Sequence, residues 1–462
     1  MVTDEVYAAV LTENAQLRQQ ILDVQAQLQT ALERIRDLEA LKTPPPSFVK
    51  GNVPERPQPQ PPRKKRAAEH NRARRREAEP SQIIEHRIAV CPDCGSRLGG
   101  VSLGRQRQVI ELPPPPPVTV SEHRVYKGWC SACRRWHEAP LDLSHETLGQ
   151  SRMGVRVTAL VAHLRTVLRL PLRTIVRYLA DLHGLHVSVG EIVDLLHRVA
   201  ARAAPLVEQI KQQARTRAVV HADETGWRED GHNGYVWLLS TPQGERVYTF
   251  DRSRAGRVIN DLLGEDFGGV LVTDFYGAYN DTPGGKHQRC WVHLLRDVHT
   301  LHDAYLRPTG LRGLEVTSWT GAVVALWRRV QAAATSPPED ALGPPGPREQ
   351  RYRELLGEVQ ALGDQFVEQR GHPCRPLAWR LWPFAPELLT CVRQAGVPCD
   401  NNQAERDLRP LVIARKISGG SRSPRGSATR MALSSLFATW IAQGHDPLLD
   451  CQRLLQSPLP QL

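Results

Sequence analysis

Two short apolar runs that each end in an aspartate constrain the fold of this chain more than any other feature of its sequence. Ala218–Asp223 and Val270–Asp274 have the length and the branched apolar content of buried strands. The hydrophobic period changes near residue 216, from helical spacing before it to strand-like spacing after it. Further elements are predicted around these runs: strands at Tyr235–Ser240, Arg246–Phe250 and Lys286–Val292, and a helix at Arg257–Leu263.

The order of these elements is the second constraint. Three strands, a helix, a strand, a helix and a strand are the order expected of an RNase H-like core. In that fold the first and fourth strands are neighbours, so Asp223 and Asp274 would meet at one edge of the sheet. Two carboxylates at short range repel each other and raise each other's pKa, and a bound cation neutralises this repulsion. Because oxygen ligands suit Mg²⁺ and Mn²⁺, we expect one of these ions there.

A third carboxylate is expected from the sequence DNNQAERD. Asp400 or Asn401 can cap a helix whose first turns carry Glu405. Other acids fit less well, because Glu224 would point to the opposite face of its strand and Asp407 faces away from Glu405 on a helix. Taken singly, each carboxylate is more often a solvated surface charge. The pattern of two strand-end aspartates and a helical glutamate is what indicates two-metal phosphodiester chemistry.

Two CxxC pairs precede this region and indicate structural zinc. Each pair supplies two thiolates on a tight turn, and together they complete a tetrahedral site formed by Cys91, Cys94, Cys130 and Cys133. A redox role is the weaker alternative, since such sites need one pair. His123 and His137 are near in sequence, but four thiolates already fill the coordination shell. Two β-like runs, Gln108–Leu112 and Val118–Tyr126, flank the prolines Pro113–Pro117 between the pairs.

The N-terminal residues 5–42 have the spacing of a coiled coil. Seam positions alternate at intervals of three and four, and they are Val10, Asn14, Leu17, Ile21, Val24, Leu28, Ala31, Ile35 and Leu38. The alternative is an amphipathic helix that packs on its own domain. Because a Pro-rich linker follows, we favour self-association into a homo-oligomer.

Residues 43–80 carry nine prolines, and ten basic residues against four acidic ones. Such a segment cannot build a core, so we predict a disordered or extended linker. The chain has a net charge of +11, and more than half of it is concentrated here. Concentrated positive charge indicates a polyanion, most simply nucleic acid, while a solvated linker is the alternative.

Residues 150–215 have helical periodicity. One helix is predicted at Val155–Leu168 and a second at Leu172–Leu182, and a third begins at Ser188 with the capping box Ser188-x-x-Glu191. A helix, a short glycine turn and a capped helix are typical of helix-turn-helix DNA readers. A plain helical bundle fits the sequence equally well.

Four longer stretches carry a family resemblance. They are His221–Trp227 (HADETGW), Leu271–Tyr279 (LVTDFYGAY), Cys290–Arg296 (CWVHLLR) and Asp400–Pro410 (DNNQAERDLRP), the last continuing into Ala414–Gly420 (ARKISGG). They resemble bacterial insertion-sequence transposases of the DDE type, specifically the insertion-sequence-sixty-six family. The resemblance implies catalytic acids at Asp223, Asp274 and Glu405, a helical insertion before the glutamate, and strand cleavage and transfer at the inverted repeats of a mobile element.

Basic and small residues follow the glutamate and predict contacts with the DNA backbone. Glycines let main-chain amides approach phosphates, and the positive charges come from Arg415, Lys416, Arg422 and Arg425. Other residues of the resembling stretches are expected to support the site, and they are Cys290, His293, Asn401, Asn402 and Arg409. The four tryptophans of the expected insertion, Trp319, Trp327, Trp379 and Trp382, are interpreted as core residues rather than base-stacking platforms.

We therefore expect a multidomain α+β protein. Its segments are a coiled-coil helix (5–42), a basic linker (43–80), a zinc-ribbon-like module (81–145), a helical helix-turn-helix-like DNA-binding domain (150–215), an RNase H-like core in two parts (216–300 and 396–456) and a helical insertion (301–395).

The expected function is metal-dependent DNA transposition. No apolar run reaches the length that spans a membrane, and the N-terminus lacks the features of a signal peptide, so we expect a cytoplasmic, nucleoid-associated protein. The partners would be transposon ends and target DNA, with accessory proteins of the same element as the resemblance suggests. Two alternatives stay open: a catalytically inactive DNA-binding repressor, and a nuclease of the same fold that cuts without joining.

Overall fold

A computed structural model describes residues 16–25, 27–29, 32–33, 79–100, 102–282, 285–306, 310–335 and 346–457. The chain divides into two compact units. The sheet unit contains the described parts of residues 1–51, 145–169 and 196–462, and the cysteine unit contains those of 52–144 and 170–195. No helix among these described residues is both long and apolar enough to cross a membrane.

The strands are β1 (Lys127–Cys130), β2 (Arg135–Glu138), β3 (Val219–Glu229), β4 (His232–Ser240), β5 (Arg246–Asp251), β6 (Val270–Thr273) and β7 (Lys286–Arg289). The α-helices are α1 (Val155–Thr166), α2 (Leu172–His183), α3 (Val189–Arg215), α4 (Gly256–Leu263), α5 (Trp291–Ala304), α6 (Leu311–Thr335), α7 (Pro347–Asp364), α8 (Arg375–Leu388), α9 (Thr390–Arg393), α10 (Asn402–Ser418), α11 (Pro424–Ala442) and α12 (Pro447–Gln456).

The sheet unit is built on a five-stranded mixed sheet with the order β5-β4-β3-β6-β7. β3 pairs antiparallel with β4 and parallel with β6, which in turn pairs parallel with β7. All four residues of β6 and the first four of β3 are buried, as expected of central strands covered on both faces. The predicted adjacency of the first and fourth strands is confirmed.

One predicted helix is wrong. Among the described residues between β6 and β7, the chain forms only a short 3₁₀ turn, Gly277–Tyr279. This connection is short and carries Pro283, Gly284 and Gly285 close before β7, and proline and glycine disfavour a helix interior. The other elements predicted between residues 218 and 292 are present. The prediction that the first strand ends at Asp223 is wrong, because β3 pairs with β4 as far as Glu229 and Asp223 therefore lies inside the strand.

Two of the apolar cores formed by the described residues pack against the sheet. In the first, helices α10 and α11 pack their buried residues, including Leu408 and Met431, against Trp227, Val236 and Tyr248. In the second, helices α5 to α9 pack against β3 and β6. The segment before the glutamate helix is therefore helical, as predicted. Its tryptophans divide: Trp319 is buried and Trp327 packs against the second core, whereas Trp379 and Trp382 are exposed, which contradicts their interpretation as core residues.

The cysteine unit contains a two-stranded antiparallel hairpin, β1-β2, with the second CxxC pair at its turn. The predicted strands at Gln108–Leu112 and Val118–Tyr126 are wrong, because residues 102–126 form no regular secondary structure. Proline lacks the N–H donor that a β-ladder needs, so the run Pro113–Pro117 cannot be paired on that side. The observed hairpin begins only at Lys127.

The same unit contains the predicted helix, the glycine turn and the capped start of the next helix, as far as Leu195. Helix α2 ends at Gly184, whose φ of 64° is the left-handed conformation of a glycine C-cap. Ser188 Oγ then accepts a hydrogen bond of 3.0 Å from the Glu191 N–H at the start of α3. The helix, glycine turn and capped helix start that indicate a helix-turn-helix are thus present. Their role in reading DNA stays a prediction.

At the N-terminus, Leu17, Ile21, Val24 and Leu28 are helical and exposed, as residues of a coiled-coil seam would be before they pair. The remaining predicted seam positions and almost all of the linker 43–80 lie outside the described residues. Self-association therefore stays a prediction.

Candidate active site

The pairing of β3 with β6 determines where the two aspartates lie. His221 of β3 is directly paired with Val272 of β6, and the two strands are parallel. Asp223 and Asp274 each follow this pair by two residues, so they lie at corresponding positions of neighbouring strands. Both carboxylates are also held by main-chain amides: Asp223 Oδ1 accepts from the Glu224 N–H at 2.9 Å, and Asp274 Oδ1 accepts from the Tyr276 N–H at 2.8 Å.

The electrostatics of Asp223 reveal a cluster of acids. Burial raises the pKa of the Asp223 carboxyl well above its ordinary value. The negative charges that raise this pKa further are those of Glu224, Asp274 and Glu405. The fold therefore brings all three sequence-predicted acids into one electrostatic neighbourhood, together with a fourth carboxylate at Glu224.

Glu405 reaches this neighbourhood from the first turns of α10. Its Oε1 lies 3.2 Å from His293 Nε2 and 3.7 Å from a guanidinium nitrogen of Arg296, both on α5. This oxygen is buried and makes no hydrogen bond of acceptable geometry within the described part of the chain. A buried carboxylate oxygen without a hydrogen bond is a ligand that suits a hard divalent cation. Among the described residues, Asp223, Asp274 and Glu405 do not form a group whose ligand atoms all lie within 4.8 Å of one another, so they share an electrostatic neighbourhood rather than a closed ligand cluster.

The neighbouring acids are engaged elsewhere. Glu224 forms an ion pair of 2.6 Å with Arg254 and accepts a hydrogen bond from the hydroxyl of Tyr279. Asp407 forms an ion pair of 2.5 Å with Arg246 of β5 and accepts from Ser240 Oγ of β4 at 2.6 Å. Because Glu405 instead faces α5, the two acids of α10 point in different directions, as their spacing on a helix predicts.

The start of α10 is tied to the rest of the site. Asp400 Oδ1 accepts from the Asn402 N–H at 3.0 Å and thereby caps the helix. The fully buried Asn401 donates its side-chain Nδ2–H to the Ala222 carbonyl oxygen at 2.8 Å and lies 2.9 Å from His221 Nδ1. Burial lowers the pKa of His221 to about 4, so the ring is neutral at physiological pH.

The other supporting residues predicted from the sequence are found at different distances from this cluster. Cys290 is buried at the start of α5, where its Sγ accepts from the Asn401 N–H at 3.1 Å and burial raises its pKa to about 11. His293 contacts Glu405, as described above. Asn402 is half-buried in the first turn of α10, and Arg409 is exposed on the same helix.

The sequence reasoning missed Arg289. Its fully buried guanidinium forms an ion pair of 2.6 Å with Glu387, donates to the main-chain oxygen of Asp274 at 3.1 Å and to Asn280 Oδ1 at 2.9 Å, and lies over the Phe384 ring. The sequence carries one signal for this residue. Arg289 lies in the run Lys286–Val292, which is predicted to be a strand of the sheet, and an arginine that such a strand buries needs a charged partner.

The basic residues after Glu405 do not share one environment. Arg415 donates to Thr225 Oγ1 at 3.1 Å and to the Gly226 carbonyl oxygen, so its guanidinium is used inside the protein. Lys416, Arg422 and Arg425 are exposed.

The glycines of this segment also have an internal partner. Gly420 has a φ of +114°, and a Cβ there would lie 2.1 Å from the Arg228 carbonyl oxygen. The next residue, Ser421, donates its N–H to that oxygen at 2.8 Å and accepts from the Asp230 N–H at 2.9 Å. These two main-chain bonds attach Ser421 to the end of β3. The approach of this segment to phosphates stays a prediction.

In the cysteine unit, Cys130, Cys133 and His137 bring their ligand atoms within 4.8 Å of one another. Cys91 and Cys94 form a separate turn outside this group, with Cys94 Sγ 3.4 Å from Ser96 Oγ. The cluster is a possible Cys/His zinc site in which His137 accompanies the second CxxC pair. The sequence reasoning set His137 aside because it assumed four thiolates.

Comparison with known proteins identifies the family of this chain. Residues 150–429, more than half of the chain, match the family described as Transposase IS66 family. The chain belongs to this family of transposases. The IS66 match contains Asp223, Asp274 and Glu405, and it begins after both CxxC pairs.

A curated relative is also similar to this IS66-family chain. The "Uncharacterized protein y4jO" of Sinorhizobium fredii (strain NBRC 101917 / NGR234) is 28% identical over 215 residues, which are 44% of this chain and 60% of the relative. The chain thus spans less than two thirds of the length of that relative.

Proposed function

We propose that this IS66-family chain is a DNA transposase with an RNase H-like core, which cleaves and joins strands at the inverted-repeat ends of an insertion sequence. Asp223, Asp274 and Glu405 are its catalytic acids. The observation that carries the proposal is the strand register that sets Asp223 and Asp274 each two residues beyond the paired His221 and Val272, with Glu405 on α10 acting on the same carboxyl. Burial, and then the negative charges of Glu224, Asp274 and Glu405, raise the pKa of Asp223. The order of the five strands supports the core assignment.

The three acids would hold Mg²⁺ or Mn²⁺. Divalent ions bound by such carboxylates supply activation of a water or a 3′-hydroxyl and stabilisation of the leaving oxygen. The protein's part is to place the ligands. Strand pairing fixes Asp223 relative to Asp274, Arg289 holds the main chain of Asp274, and His293 lies against Glu405.

DNA is the proposed substrate, and the exposed Lys416, Arg422 and Arg425 are its proposed backbone contacts on the sheet unit. The helix-turn-helix-like pair α2–α3 is proposed as a second DNA contact, with zinc in the cysteine unit as a structural ion. Self-association through the N-terminal helix and accessory proteins of the same element complete the proposal.

A strand-transfer assay tests this function against its alternatives. The purified chain is incubated with labelled inverted-repeat ends, target DNA and Mg²⁺. Joined products support the transposase. Cut products without joining would assign a nuclease, and binding without any chemistry would assign a DNA-binding repressor; either result would contradict the proposal.

A further inference from the structure

A single buried amide joins the two elements that carry the first and third acids. The Asn401 side chain bonds the carbonyl oxygen of Ala222, the residue immediately before Asp223. Its main-chain oxygen accepts a hydrogen bond of 3.3 Å from the N–H of Glu405. One residue is therefore bonded at one end to the strand of Asp223 and at the other to the helix residue Glu405 itself.

The second half of the Asn401 amide is also used. Because Nδ2–H donates to a carbonyl oxygen, Oδ1 is the atom that faces His221, and a neutral histidine donates to it from Nδ1–H. Both bonds are fully buried, where an amide that lost a partner would be costly. Asn401 can therefore hold only one orientation relative to β3.

Helix formation does not explain this arrangement. An asparagine at the N-cap position ordinarily uses its side chain to satisfy the first helical amides. Here Asp400 Oδ1 performs that task on Asn402 N–H, and the Asn401 side chain makes no capping bond. The Asn401 side chain is free of a helix-capping role and points at the sheet instead.

A third hydrogen bond of Asn401 joins the start of α10 to the start of α5. The Asn401 N–H donates to Cys290 Sγ at 3.1 Å, and the neighbouring Trp291 N–H donates to the Cys399 carbonyl oxygen at 3.0 Å. Both contacts lie at the start of α5, the helix whose His293 contacts Glu405. The start of α10 is thereby held against β3 and α5 at once.

We propose that Asn401, oriented by His221, is a positioning residue that fixes the separation between Asp223 and Glu405 and so sets the affinity of the site for its divalent ion. This inference rests on the proposed function. Residues that orient metal ligands through hydrogen bonds commonly change metal affinity about 10- to 100-fold when they are removed.

The test compares Asn401→Ala with wild type in zinc-replete protein. Mn²⁺ binding is measured from the paramagnetic resonance signal of the free ion, and backbone hydrogen exchange is followed in the first turn of α10. We expect Mn²⁺ affinity to fall at least about tenfold and exchange in that turn to become faster. His221→Phe, which removes the donor to Oδ1 but keeps the Ala222 bond, provides a second variant with a smaller loss of affinity.

Gln288→Met is the matched control. Gln288 is another fully buried amide; its Nε2–H donates to the carbonyl oxygens of Arg289 and Leu388, and its Oε1 accepts from the Cys391 N–H. Its loss should lower stability while leaving Mn²⁺ affinity unchanged. If Asn401→Ala lost stability like this control and kept wild-type Mn²⁺ affinity, Asn401 would be merely structural and the inference would be overturned.

Failure of the proposed function gives a different result. Wild-type protein that bound no Mn²⁺ would contradict the metal site itself. The hydrogen-exchange measurement would still decide the role of Asn401, because unchanged exchange at the start of α10 in Asn401→Ala would show that this residue does not position Glu405.

Discussion

Asp223 and Asp274 lie two residues beyond a directly paired position, His221 and Val272, on neighbouring parallel strands. This register places the two acids just beyond the point where the pairing of β3 with β6 ends, and burial and negative charge there disfavour the ionised form of Asp223. Without a bound cation, such a cluster of acids lowers the stability of the folded protein.

Asp223→Asn should raise the thermal unfolding temperature of magnesium-free protein at pH 7.5. Folding raises the pKa of the Asp223 carboxyl because the fold disfavours its ionised form. The free energy of unfolding therefore falls as the pH rises above the unfolded pKa of this carboxyl, about 3.9. The neutral amide escapes this loss, so the gain should shrink toward pH 4. Calorimetry checks it, and added Mg²⁺ should stabilise only the wild type. Asp407→Asn is the control and should destabilise, since it breaks the pair with Arg246.

Arg289→Met should cost about 3 kcal/mol of unfolding free energy, because it removes one partner of a buried ion pair and leaves Glu387 without it. Denaturant unfolding measures the loss. Arg329→Met, which breaks an exposed pair with Glu358, is the matched control and should cost less than about 1 kcal/mol. Equal costs for the two variants would show that Arg289 is not a buried anchor of the Asp274 loop.

Gly420→Ala should destabilise by about 3 kcal/mol, because it combines a left-handed backbone with a Cβ placed against the Arg228 carbonyl oxygen. Gly419 also has a positive φ, +71°, but no atom lies within 4 Å of an added Cβ, so Gly419→Ala should cost about 1 kcal/mol. Chemical denaturation of both variants checks the difference. A smaller cost at Gly420 than at Gly419 would contradict the addition of this segment to β3.

Replacing Lys416, Arg422 or Arg425 with Ala should weaken DNA binding. Each replacement that leaves one phosphate without its positive partner should lower the slope of log affinity against log salt by about one. Arg415→Ala should instead lower stability, since its guanidinium bonds Thr225 and Gly226. Binding titrations at several salt concentrations separate the two effects. An unchanged slope in all three exposed variants would remove this surface from the DNA interface.

His137→Ala should make zinc at least about tenfold easier to remove with a chelator, because His137 shares a ligand cluster with Cys130 and Cys133. A zinc-release titration monitored with a metallochromic dye checks this. The exposed His86 lies outside the cluster, and His86→Ala should release zinc like the wild type. Wild-type retention in His137→Ala would favour the four-thiolate site predicted from the sequence.

The strand pattern of the sheet could be predicted from sequence because buried strands leave a local signal. Strand β6 has three apolar residues before Thr273 and is fully buried, and Asp274 follows its end directly. The missing helix before β7 shows the limit of this reasoning. That helix was predicted from the expected order of elements alone, although the proline and glycines of the connection disfavour a helix. The Gln108–Leu112 run shows another limit, because alternating residues become a strand only when a partner can pair with them.

Long-range polar contacts could not be predicted in the same way. Nothing local in the sequence shows that Asn401 bonds Ala222, that Arg289 holds Asp274, or that Arg415 is used internally. Each of these bonds joins segments that are distant along the chain and meet only after folding. Charge alone made Arg415 resemble its exposed neighbours, and only its surroundings distinguish it.

The most direct test of the proposed catalytic site is strand transfer by Asp274→Asn, compared with wild type and with Asp261→Asn, an exposed aspartate on α4. We expect Asp274→Asn to form no cleaved or joined product with Mg²⁺ while binding transposon-end DNA as the wild type does, and Asp261→Asn to remain active. Cleavage or joining that survived in Asp274→Asn would contradict the assignment of the catalytic site.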